Sequence, residues 1–417
     1  MNRNIKRQFP NLVELSALLK FRRPTFQRRQ RRLDQSLTIW DLREIAKKRT
    51  PQGPFDYTDG AAESELSLRR ARQAFLDIEF QPSILHDVAQ IDLTRKTLGR
   101  EFRLPIGIAP TGFTRMMQSE GEVAGARAAE KYGIPFTLST LGTTSIEDVV
   151  KATPNGTNWF QLYMWKDRDA SMALVERAAK MGVTNLMLTV DVPVAGARLR
   201  DAYNGMTVPP KLNFKTIANA IPRPEWVWNF LTTPPLQFAS MSKWDGTVAE
   251  LLDFMFDPTM TFEDLKWVRE QWKGTLTVKG IQTLEDAKKC AANGADAILL
   301  SNHGGRQLDR SPVPFHLLGQ IRKELKKEIE VHLDTGIMHG GDVIAAIAHG
   351  AQFTYVGRAY LYGLMAGGQE GVERSLEILR GQMIRTMKLL GVNSLDELEP
   401  RHVNMLPVGA GLGTIPK

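Results

Sequence analysis

One pattern repeats eight times from about residue 104 onward: a short apolar run is followed by a stretch with apolar residues three and four positions apart. The apolar runs are typical of buried strands, and the wider spacing is typical of amphipathic helices. The runs are Pro105–Pro110, Phe136–Thr140, Trp159–Met164, Leu186–Val192, Leu276–Gly280, Ala297–Asn302, Val331–Gly336 and Phe353–Gly357. Strands that alternate with helices predict a parallel sheet, and eight such strands can close into a (β/α)8 TIM barrel.

An open, doubly wound sheet is the competing architecture for alternating strands and helices. It usually carries a glycine-rich phosphate loop directly after its first strand. In this chain the first apolar run leads instead into the segment Ala109-Pro-Thr-Gly-Phe113. The sequence therefore favours the closed α/β barrel over the open sheet.

Three segments lie outside the barrel or interrupt it. The barrel domain is predicted to span residues 37–405, with a helical extension before its first strand, a basic arm at residues 1–36 and a tail at residues 406–417. Residues 193–260 are an insertion after the fourth strand, rich in proline and tryptophan. An insertion of this length at the carboxyl end of a strand is expected on the catalytic face, as a lid or a docking surface.

The net charge of +8 is concentrated at the N-terminus. Residues 1–50 contain 14 basic and 4 acidic side chains, so the rest of the chain is almost neutral. This placement argues against a nucleic-acid-binding protein, which usually spreads basic residues over its binding face. The single cysteine, Cys290, excludes a disulfide framework and a cysteine-rich metal cluster, and no metal site is predicted.

The sequence predicts a cytoplasmic protein, because it shows neither a secretory signal nor the roughly 18 apolar residues of a spanning helix. It also predicts peripheral attachment to the inner face of the cell membrane. The run Lys20–Arg32 contains seven basic residues, and the insertion carries Trp226, Trp228, Phe230 and Leu231. Basic residues attract anionic lipids, and aromatic residues favour the bilayer interface. A solvated arm with a proline-rich lid is the alternative interpretation.

Polar and ionisable residues stand at the carboxyl ends of the predicted strands, where a barrel of this kind has its active site. Strands three to eight end respectively in Gln161 and Tyr163, Thr189 and Asp191, Lys279, the segment Ser301-Asn-His-Gly-Gly-Arg-Gln-Leu-Asp309, Asp334-Thr-Gly336, and Gly357-Arg358. Because these strand ends meet at one rim, we expect the side chains to converge there.

His303 is the strongest candidate for a catalytic residue. Two glycines follow it and allow the backbone to approach a bound molecule closely. Arg306 supplies a planar guanidinium suited to a carboxylate. A neutral imidazole beside such an arginine can remove a proton next to a carboxylate, and Asp191 could support the imidazole.

Two further features point to a cofactor or a phosphorylated substrate. Lys279 on a barrel strand could form a Schiff base with a carbonyl compound, or it could offer a fixed positive charge to a cofactor. Gly336, Gly357 and Arg358 follow strands seven and eight, where such barrels commonly bind phosphate.

Taken together, these motifs resemble the FMN-dependent L-2-hydroxy-acid oxidase and dehydrogenase family. The resemblance runs from about residue 37 to 405, through Phe55-Asp-Tyr57, Ala109-Pro-Thr111, Leu138-Ser139, Phe160-Gln-Leu-Tyr163, Leu188-Thr-Val-Asp191, Val278-Lys-Gly280 and Ser301–Asp309. Within the family the chain is most similar to actinobacterial-type quinone-dependent L-lactate dehydrogenases. That closer likeness rests on Leu141–Asp148, Arg310–His316 and Gly357–Gly368.

The resemblance implies a role for each site residue. His303 would take the substrate proton, supported by Asp191, and Tyr163 would bond the substrate hydroxyl. The substrate carboxylate would be bound by Arg198, Arg306 and Tyr57. Lys279 would lie beside the flavin and stabilise its reduced form, which weakens the Schiff-base interpretation. FMN would be held by Ala109, Pro110, Thr111, Ser139, Gln161, Thr189, Ser301, Asp334, Gly336, Gly357 and Arg358.

One position departs from the family pattern. The family commonly has a phosphate-binding arginine two residues after the second glycine of the strand-seven turn, and Met338 stands there in this chain. Backbone amides and Arg358 could replace it, because amide groups alone can bind anions.

The resemblance implies FMN-dependent oxidation of L-lactate to pyruvate, with electrons passed to a quinone. Leu141, Ala195 and Phe113 would surround the substrate methyl group and would also leave room for longer 2-hydroxy acids such as mandelate. The alternatives are an oxidase that reduces oxygen to hydrogen peroxide, and a flavin-free barrel lyase that uses Lys279. Family members are often tetramers, so a homo-oligomer is expected.

Overall fold

The computed structural model describes residues 28–205, 214–239 and 255–407. Before the barrel come four helices and three short strands. They are α1 (Arg28–Gln35), α2 (Ile39–Arg49), α3 (Gln52–Asp59), α4 (Leu66–Ala74), β1 (Ile78–Phe80), β2 (Arg95–Thr97) and β3 (Arg100–Phe102). Strand β1 pairs antiparallel with β12 (Val403–Met405), and β2 pairs with β3 as a hairpin. The domain limits inferred from the sequence stay predictions.

The eight predicted strands form one closed parallel barrel, as expected. They are β4 (Ile106–Ile108), β5 (Pro135–Ser139), β6 (Thr157–Tyr163), β7 (Asn185–Thr189), β8 (Thr275–Ile281), β9 (Ala297–Leu300), β10 (Glu330–Leu333) and β11 (Phe353–Val356). Neighbours in the barrel are neighbours in the chain, and β11 closes the barrel by pairing with β4, Val356 opposite Ile108. The barrel strands are almost entirely buried, which explains their continuous apolar sequences.

Helices surround the barrel and connect its strands. They are α5 (Thr114–Met117), α6 (Gly121–Tyr132), α7 (Ile146–Ala152), α8 (Arg168–Lys180), α12 (Phe262–Gln271), α13 (Leu284–Ala292), α14 (Pro314–Leu325), α15 (Gly340–Ala348) and α16 (Arg358–Leu390). Ser145 and Thr283 are the N-cap residues of α7 and α13. The hydroxyl of each accepts a hydrogen bond of 3.1 Å from the backbone N–H three residues further along the chain. These caps satisfy N–H groups that a helix start otherwise leaves unpaired.

The insertion after the fourth barrel strand contains helices α9 (Leu199–Tyr203), α10 (Phe214–Ala220) and α11 (Pro224–Thr232). Residues 206–213 and 240–254 of it lie outside the described ranges, as do 1–27 of the basic arm and 408–417 of the tail. In the parts that the structure describes, no helix has both the length and the apolar character needed to cross a bilayer.

The end of the barrel opposite the active-site rim is closed by apolar side chains. Phe102 of the β2–β3 hairpin packs edge-on against Trp159, with ring centroids 5.8 Å apart, and lies 5.7 Å from Phe353. Leu98 of the same hairpin packs against this group. Among the described residues, the barrel interior is therefore open to a ligand at the carboxyl ends of the strands, where the sequence predicts the active site.

Candidate active site

A cavity of about 500 Å³ opens at the carboxyl ends of the barrel strands. Its volume lies within the range of about 300–1,000 Å³ that is typical of ligand sites. Thirteen of the predicted site residues line it: Tyr57, Ala109, Pro110, Thr111, Tyr163, Arg198, Lys279, His303, Arg306, Asp334, Gly336, Gly357 and Arg358. The other five, Ser139, Gln161, Thr189, Asp191 and Ser301, do not line the cavity themselves.

His303 is held in a tight turn directly after β9. Its backbone has a positive φ of 58°, and its N–H donates to the Ser301 hydroxyl at 3.0 Å. Nδ1 of the ring lies 3.0 and 3.2 Å from the two carboxylate oxygens of Asp191. A carboxylate can only accept, so Nδ1 carries the ring proton and Nε2 keeps a free lone pair. The imidazole is therefore oriented as a base.

The electrostatic surroundings keep this base neutral near pH 7. Burial lowers the pKa of His303, and the nearby Lys279 ammonium lowers it further, against the opposing effect of Asp191. Burial by itself would raise the pKa of Asp191, but His303 and Lys279 outweigh it and hold the pKa below its usual range. An ionised carboxylate thus stands behind a neutral imidazole.

Tyr163 adds a hydroxyl beside the base. Its oxygen lies 3.4 Å from Nε2 of His303, and the two rings are nearly parallel, with centroids 6.5 Å apart. Burial and the Asp191 charge raise the pKa of Tyr163 far above its ordinary value. The phenol therefore stays protonated and can donate to a ligand oxygen.

Two guanidinium groups lie over the ring of Tyr57. The central carbon of Arg306 is 4.5 Å from the ring centroid, and that of Arg198 is 5.1 Å away. Arg306 also donates to the Tyr57 carbonyl oxygen, while Arg198 pairs with Asp201 at 2.9 Å. Burial and the neighbouring Arg198 charge lower the pKa of Arg306 to about 10, so it remains charged near neutral pH. An anion at this point would relieve the repulsion between the two cations.

Lys279 is buried on β8, where its ammonium donates to the Ser301 hydroxyl at 3.2 Å. The carboxylate of Asp334 lies 3.9 Å away. Ser301 therefore connects the lysine with the His303 turn, since its hydroxyl also accepts the His303 N–H. The arrangement fixes one positive charge near the base of the cavity.

Two buried polar atoms beneath the cavity have no hydrogen-bond partner among the described residues. They are Nε2 of Gln161 and the hydroxyl oxygen of Thr189. The other amide atom of Gln161 accepts a bond of 3.0 Å from Ser139. A buried polar group without a partner costs about 1–3 kcal/mol. A polar ring system that can accept and donate hydrogen bonds, as FMN can, fits this part of the barrel.

The end of the cavity formed by the last two strands has the features of an anion site. A Cβ added to Gly357, just before α16, would meet no heavy atom within 4 Å, so the backbone there faces open space. Arg358 donates from its three nitrogens to the carbonyl oxygens of Thr58, Gly304 and Gly60, at 2.7–2.9 Å. Its charge lies at the site, and these bonds use three of the five N–H groups of the guanidinium.

Arg72 is a cation at this end that the sequence reasoning missed. It lines the cavity, as does Met338, the residue that departs from the family pattern, and both bond Asp342. Its guanidinium donates to the Gly336 carbonyl oxygen at 2.8 Å and pairs with Asp342. Arg72 belongs to α4 and precedes Gly336 by more than 260 residues in the chain. The residues at the strand ends alone could therefore not reveal it.

The apolar residues expected around the substrate side chain do line the same cavity. Phe113, Leu141 and Ala195 are all present, and Phe256 and Val192 join them. Phe256 packs against Tyr163 with ring centroids 5.3 Å apart. Phe256 was also missed, because it lies near the end of the insertion and no strand end marks it.

Comparisons with known proteins identify the family of this chain. The family model described as FMN-dependent dehydrogenase matches residues 46–405. A Mycobacterium tuberculosis protein provisionally named L-lactate dehydrogenase is 58% identical over 410 residues, 97% of this chain and 99% of the relative. The L-lactate dehydrogenase of Vibrio cholerae serotype O1 is 39% identical over 365 residues, 86% of this chain and 96% of the relative.

A solved structure gives the same picture for the fold. The crystal structure of the monotopic membrane protein (S)-mandelate dehydrogenase superposes with a TM-score of 0.85 at 36% identity, covering 89% of this chain and all of that one. The predicted barrel, the FMN cofactor and the family resemblance are confirmed, and the flavin-free lyase is not supported. The chain belongs to the FMN-dependent dehydrogenase family.

Proposed function

We propose that this enzyme oxidises L-lactate to pyruvate and passes the electrons to a quinone. The single observation that carries the proposal is the joint placement of His303, Arg306 and Arg198 in one cavity. A base and two carboxylate-binding cations are what a 2-hydroxy acid requires, because its reacting carbon adjoins its carboxylate. Relatives named L-lactate dehydrogenase support the choice of substrate.

The carboxylate of the substrate would bind between Arg198 and Arg306, beside the Tyr57 ring. Charge-assisted hydrogen bonds to guanidinium groups fix both the position and the orientation of such a group. The substrate hydroxyl would then lie near Tyr163 and Nε2 of His303, which are 3.4 Å apart. Nε2 takes a proton from the substrate, and Asp191 stabilises the imidazolium that results.

FMN accepts the two electrons of the oxidation when it is bound in the cavity. Gln161 and Thr189 would bond its ring through the atoms that otherwise have no partner. Lys279 would supply positive charge to the ring. Ala109, Pro110, Thr111, Ser139 and Ser301 would complete the ring site, and Asp334, Gly336, Gly357, Arg358 and Arg72 would surround the ribityl chain and phosphate. Arg72 is our proposed replacement for the arginine that Met338 displaces.

The proposal that the electron acceptor is a quinone needs its own test, and steady-state turnover provides it. We expect fast turnover of L-lactate with a soluble quinone analogue and slow turnover in air-saturated buffer without it. Rapid formation of hydrogen peroxide in the absence of quinone would identify the enzyme as an oxidase instead. Comparison of L-lactate with (S)-mandelate in the same assay tests the pocket formed by Phe113, Leu141 and Ala195.

The acid side of the pH profile should report on His303. The base works only when neutral, and its pKa is below the usual value of 6.5 because of burial and Lys279. We therefore expect kcat/KM for L-lactate to fall at low pH with a midpoint below 6.5, as the pH drops through the pKa of the free enzyme. A profile whose acid midpoint lies above 6.5 would contradict the assignment.

We further propose that the insertion and helix α1 attach the enzyme to an anionic membrane surface. Arg29 of α1 pairs with Glu225 of α11 at 3.3 Å, so the basic and the apolar elements are neighbours. Trp228 and Leu231 are 69% and 70% exposed on α11, and Ile217 of the adjacent α10 is also exposed, as is Ile221 just after that helix. A membrane surface would explain this apolar face, since large exposed apolar patches usually mark interaction sites.

The structure divides the four apolar residues expected to face the membrane into two pairs on different sides of α11. Trp226 donates to the Met116 carbonyl oxygen at 3.0 Å and stacks on Phe230, with ring centroids 4.9 Å apart. These two side chains fasten α11 to the barrel domain, and only Trp228 and Leu231 face outward. The membrane proposal therefore rests on Trp228 and Leu231.

Replacing Trp228 and Leu231 together with serine should weaken binding to anionic vesicles by at least about tenfold. Each apolar side chain that leaves water contributes about 1.5–3 kcal/mol, and 1.4 kcal/mol is tenfold in affinity. Co-sedimentation at low and high salt measures the effect. The matched control is Leu85→Ser, an exposed leucine outside the insertion. Equal binding of the double variant and the wild type would refute this surface.

A further inference from the structure

Asp201 is an acidic residue beside the two arginines that would bind the substrate carboxylate, and the reaction above gives it no role. It stands in the first turn of α9, three residues after Arg198, and its side chain is 16% exposed. One of its carboxylate oxygens lies 2.9 Å from Nε of Arg198. A negative charge next to an anion site repels the anion, so the presence of Asp201 at this point needs a reason.

Asp201 contacts the arginine and not the cavity. Arg198 and Arg306 line the cavity, whereas Asp201 does not. Because the acid meets Nε of Arg198, the contact leaves the four N–H groups of the two terminal nitrogens for a ligand. Asp201 can therefore act on a bound anion only through its charge and through the position of Arg198.

The charge of Asp201 acts on both arginines. Burial and the Arg198 charge lower the pKa of Arg306, and the Asp201 carboxylate opposes them. Burial raises the pKa of Asp201 itself, and the guanidinium groups of Arg198 and Arg306 counteract that rise. The three side chains are close enough to behave as one charged group, which we call the arginine–aspartate cluster.

The neighbouring cation Arg200 does not add its charge to the arginine–aspartate cluster. Its two terminal nitrogens lie 3.1 Å from Asp59 and 2.6 Å from Glu65, and the Asp56 carboxylate is 3.6 Å away. Arg200 and Asp56 also shift the pKa of Asp201 in opposite directions. The charge of Arg200 is thus compensated by acids of α3 and of the turn before α4.

Two guanidinium groups and one carboxylate leave the arginine–aspartate cluster with a single positive charge. We propose that Asp201 makes the site selective for 2-hydroxy acids that carry one negative charge. A monocarboxylate neutralises the cluster when it binds. A dianion leaves one negative charge without compensation in a cavity with little water, which is costly. Without the Asp201 charge the cluster has two positive charges, and a second charge on the ligand is attracted.

This inference rests on the proposed function and deepens it, because it concerns the site to which L-lactate is assigned. The pocket of Phe113, Leu141 and Ala195 selects by the size and polarity of the substrate side chain, whereas Asp201 selects by the net charge of the ligand. An acid with a second carboxylate on its side chain would confound the two effects, because the apolar pocket also rejects it. The test therefore needs ligands that have no side chain.

Binding of oxalate and oxamate to the full-length FMN-bound protein isolates the effect of charge. Both are two-carbon acids of nearly the same size, but at neutral pH oxalate is a dianion and oxamate is a monoanion. Titration at low salt, followed by the change in flavin absorbance, gives the Kd of each compound. In Asp201→Asn we expect the ratio of the oxalate Kd to the oxamate Kd to fall by at least about tenfold. A nearby unit charge has at least this effect at an effective dielectric constant of about 20.

Two variants control for the loss of the side chain. Asp201→Glu keeps the charge and should keep the wild-type ratio. Asp264→Asn is the matched control, because Asp264 also stands in the first turn of a helix, α12, and pairs with an arginine, Arg168, at 2.9 Å. Neither Asp264 nor Arg168 lines the cavity, so the ratio should not change.

A merely structural role, limited to holding Arg198, would weaken the binding of oxalate and oxamate by the same factor. An unchanged ratio in folded, FMN-loaded Asp201→Asn protein would therefore overturn the proposal. If that variant does not fold, Asp201→Ser decides in the same way, since it also removes the charge.

The titration separates this proposal from the proposed function. Failure of both compounds to bind the wild-type protein would overturn the assignment of the carboxylate site and the role of Asp201 together. Absence of turnover with L-lactate would refute the proposed function alone, because the ratio is measured without turnover and still decides whether Asp201 selects by charge.

Discussion

Replacing His303 with glutamine is expected to lower kcat for L-lactate by about 10²–10⁴-fold, the usual contribution of a general base. Glutamine keeps a polar side chain of similar reach but cannot take a proton. FMN content and the thermal midpoint should change little, because the His303 ring touches the protein mainly through Asp191 and Tyr163. Stopped-flow measurement of flavin reduction by L-lactate gives the rate directly.

The matched control for this variant is His86→Gln. His86 is exposed and contacts Ser83 outside the cavity, so its loss should leave kcat unchanged. A folded, FMN-loaded His303→Gln protein that reduces its flavin at the wild-type rate would show that another group takes the proton.

Replacing Arg306 with alanine is expected to lower kcat/KM for L-lactate by at least about 10²-fold. Two hydrogen bonds to a charged group are lost, at about 1.5–3 kcal/mol each, and 1.4 kcal/mol is tenfold. The preference for L-lactate over its amide, which lacks the negative charge, should shrink by a similar factor. Steady-state kinetics with both compounds measures the two effects.

Arg310→Ala controls for the loss of a nearby cation. Its side chain is 68% exposed and lies 3.8 Å from Glu63, outside the cavity, so kcat/KM should be unchanged. If Arg306→Ala lowers turnover of the acid and the amide equally, the guanidinium supports helix α3 through the Tyr57 carbonyl oxygen and does not bind the carboxylate.

Most of what the sequence could predict about the site came from the residues at the carboxyl ends of the strands. The carboxyl ends of parallel strands meet at one rim, so Tyr163, Lys279 and His303 had to converge once eight strands were recognised. The hydrogen bond between His332 and Tyr355 depends on the register between β10 and β11, which no local pattern reveals.

The residues that sequence reasoning missed reach the site from other elements. Arg72 comes from a helix before the barrel, and Phe256 comes from the far side of the insertion, so only tertiary packing brings them to the cavity. The two faces of α11 could have been predicted from the sequence, because residues four apart share a face of a helix. Trp226 and Phe230 stand four apart and pack inward together, while Trp228 and Leu231 stand three apart and face outward.

Anaerobic mixing of the purified, FMN-bound protein with L-lactate tests the central claim most directly. The account predicts that the yellow flavin absorbance is bleached in a single fast phase, that one pyruvate forms per flavin, and that D-lactate has no such effect. Flavin that stays oxidised with L-lactate, in protein that a chemical reductant still bleaches, would contradict the claim.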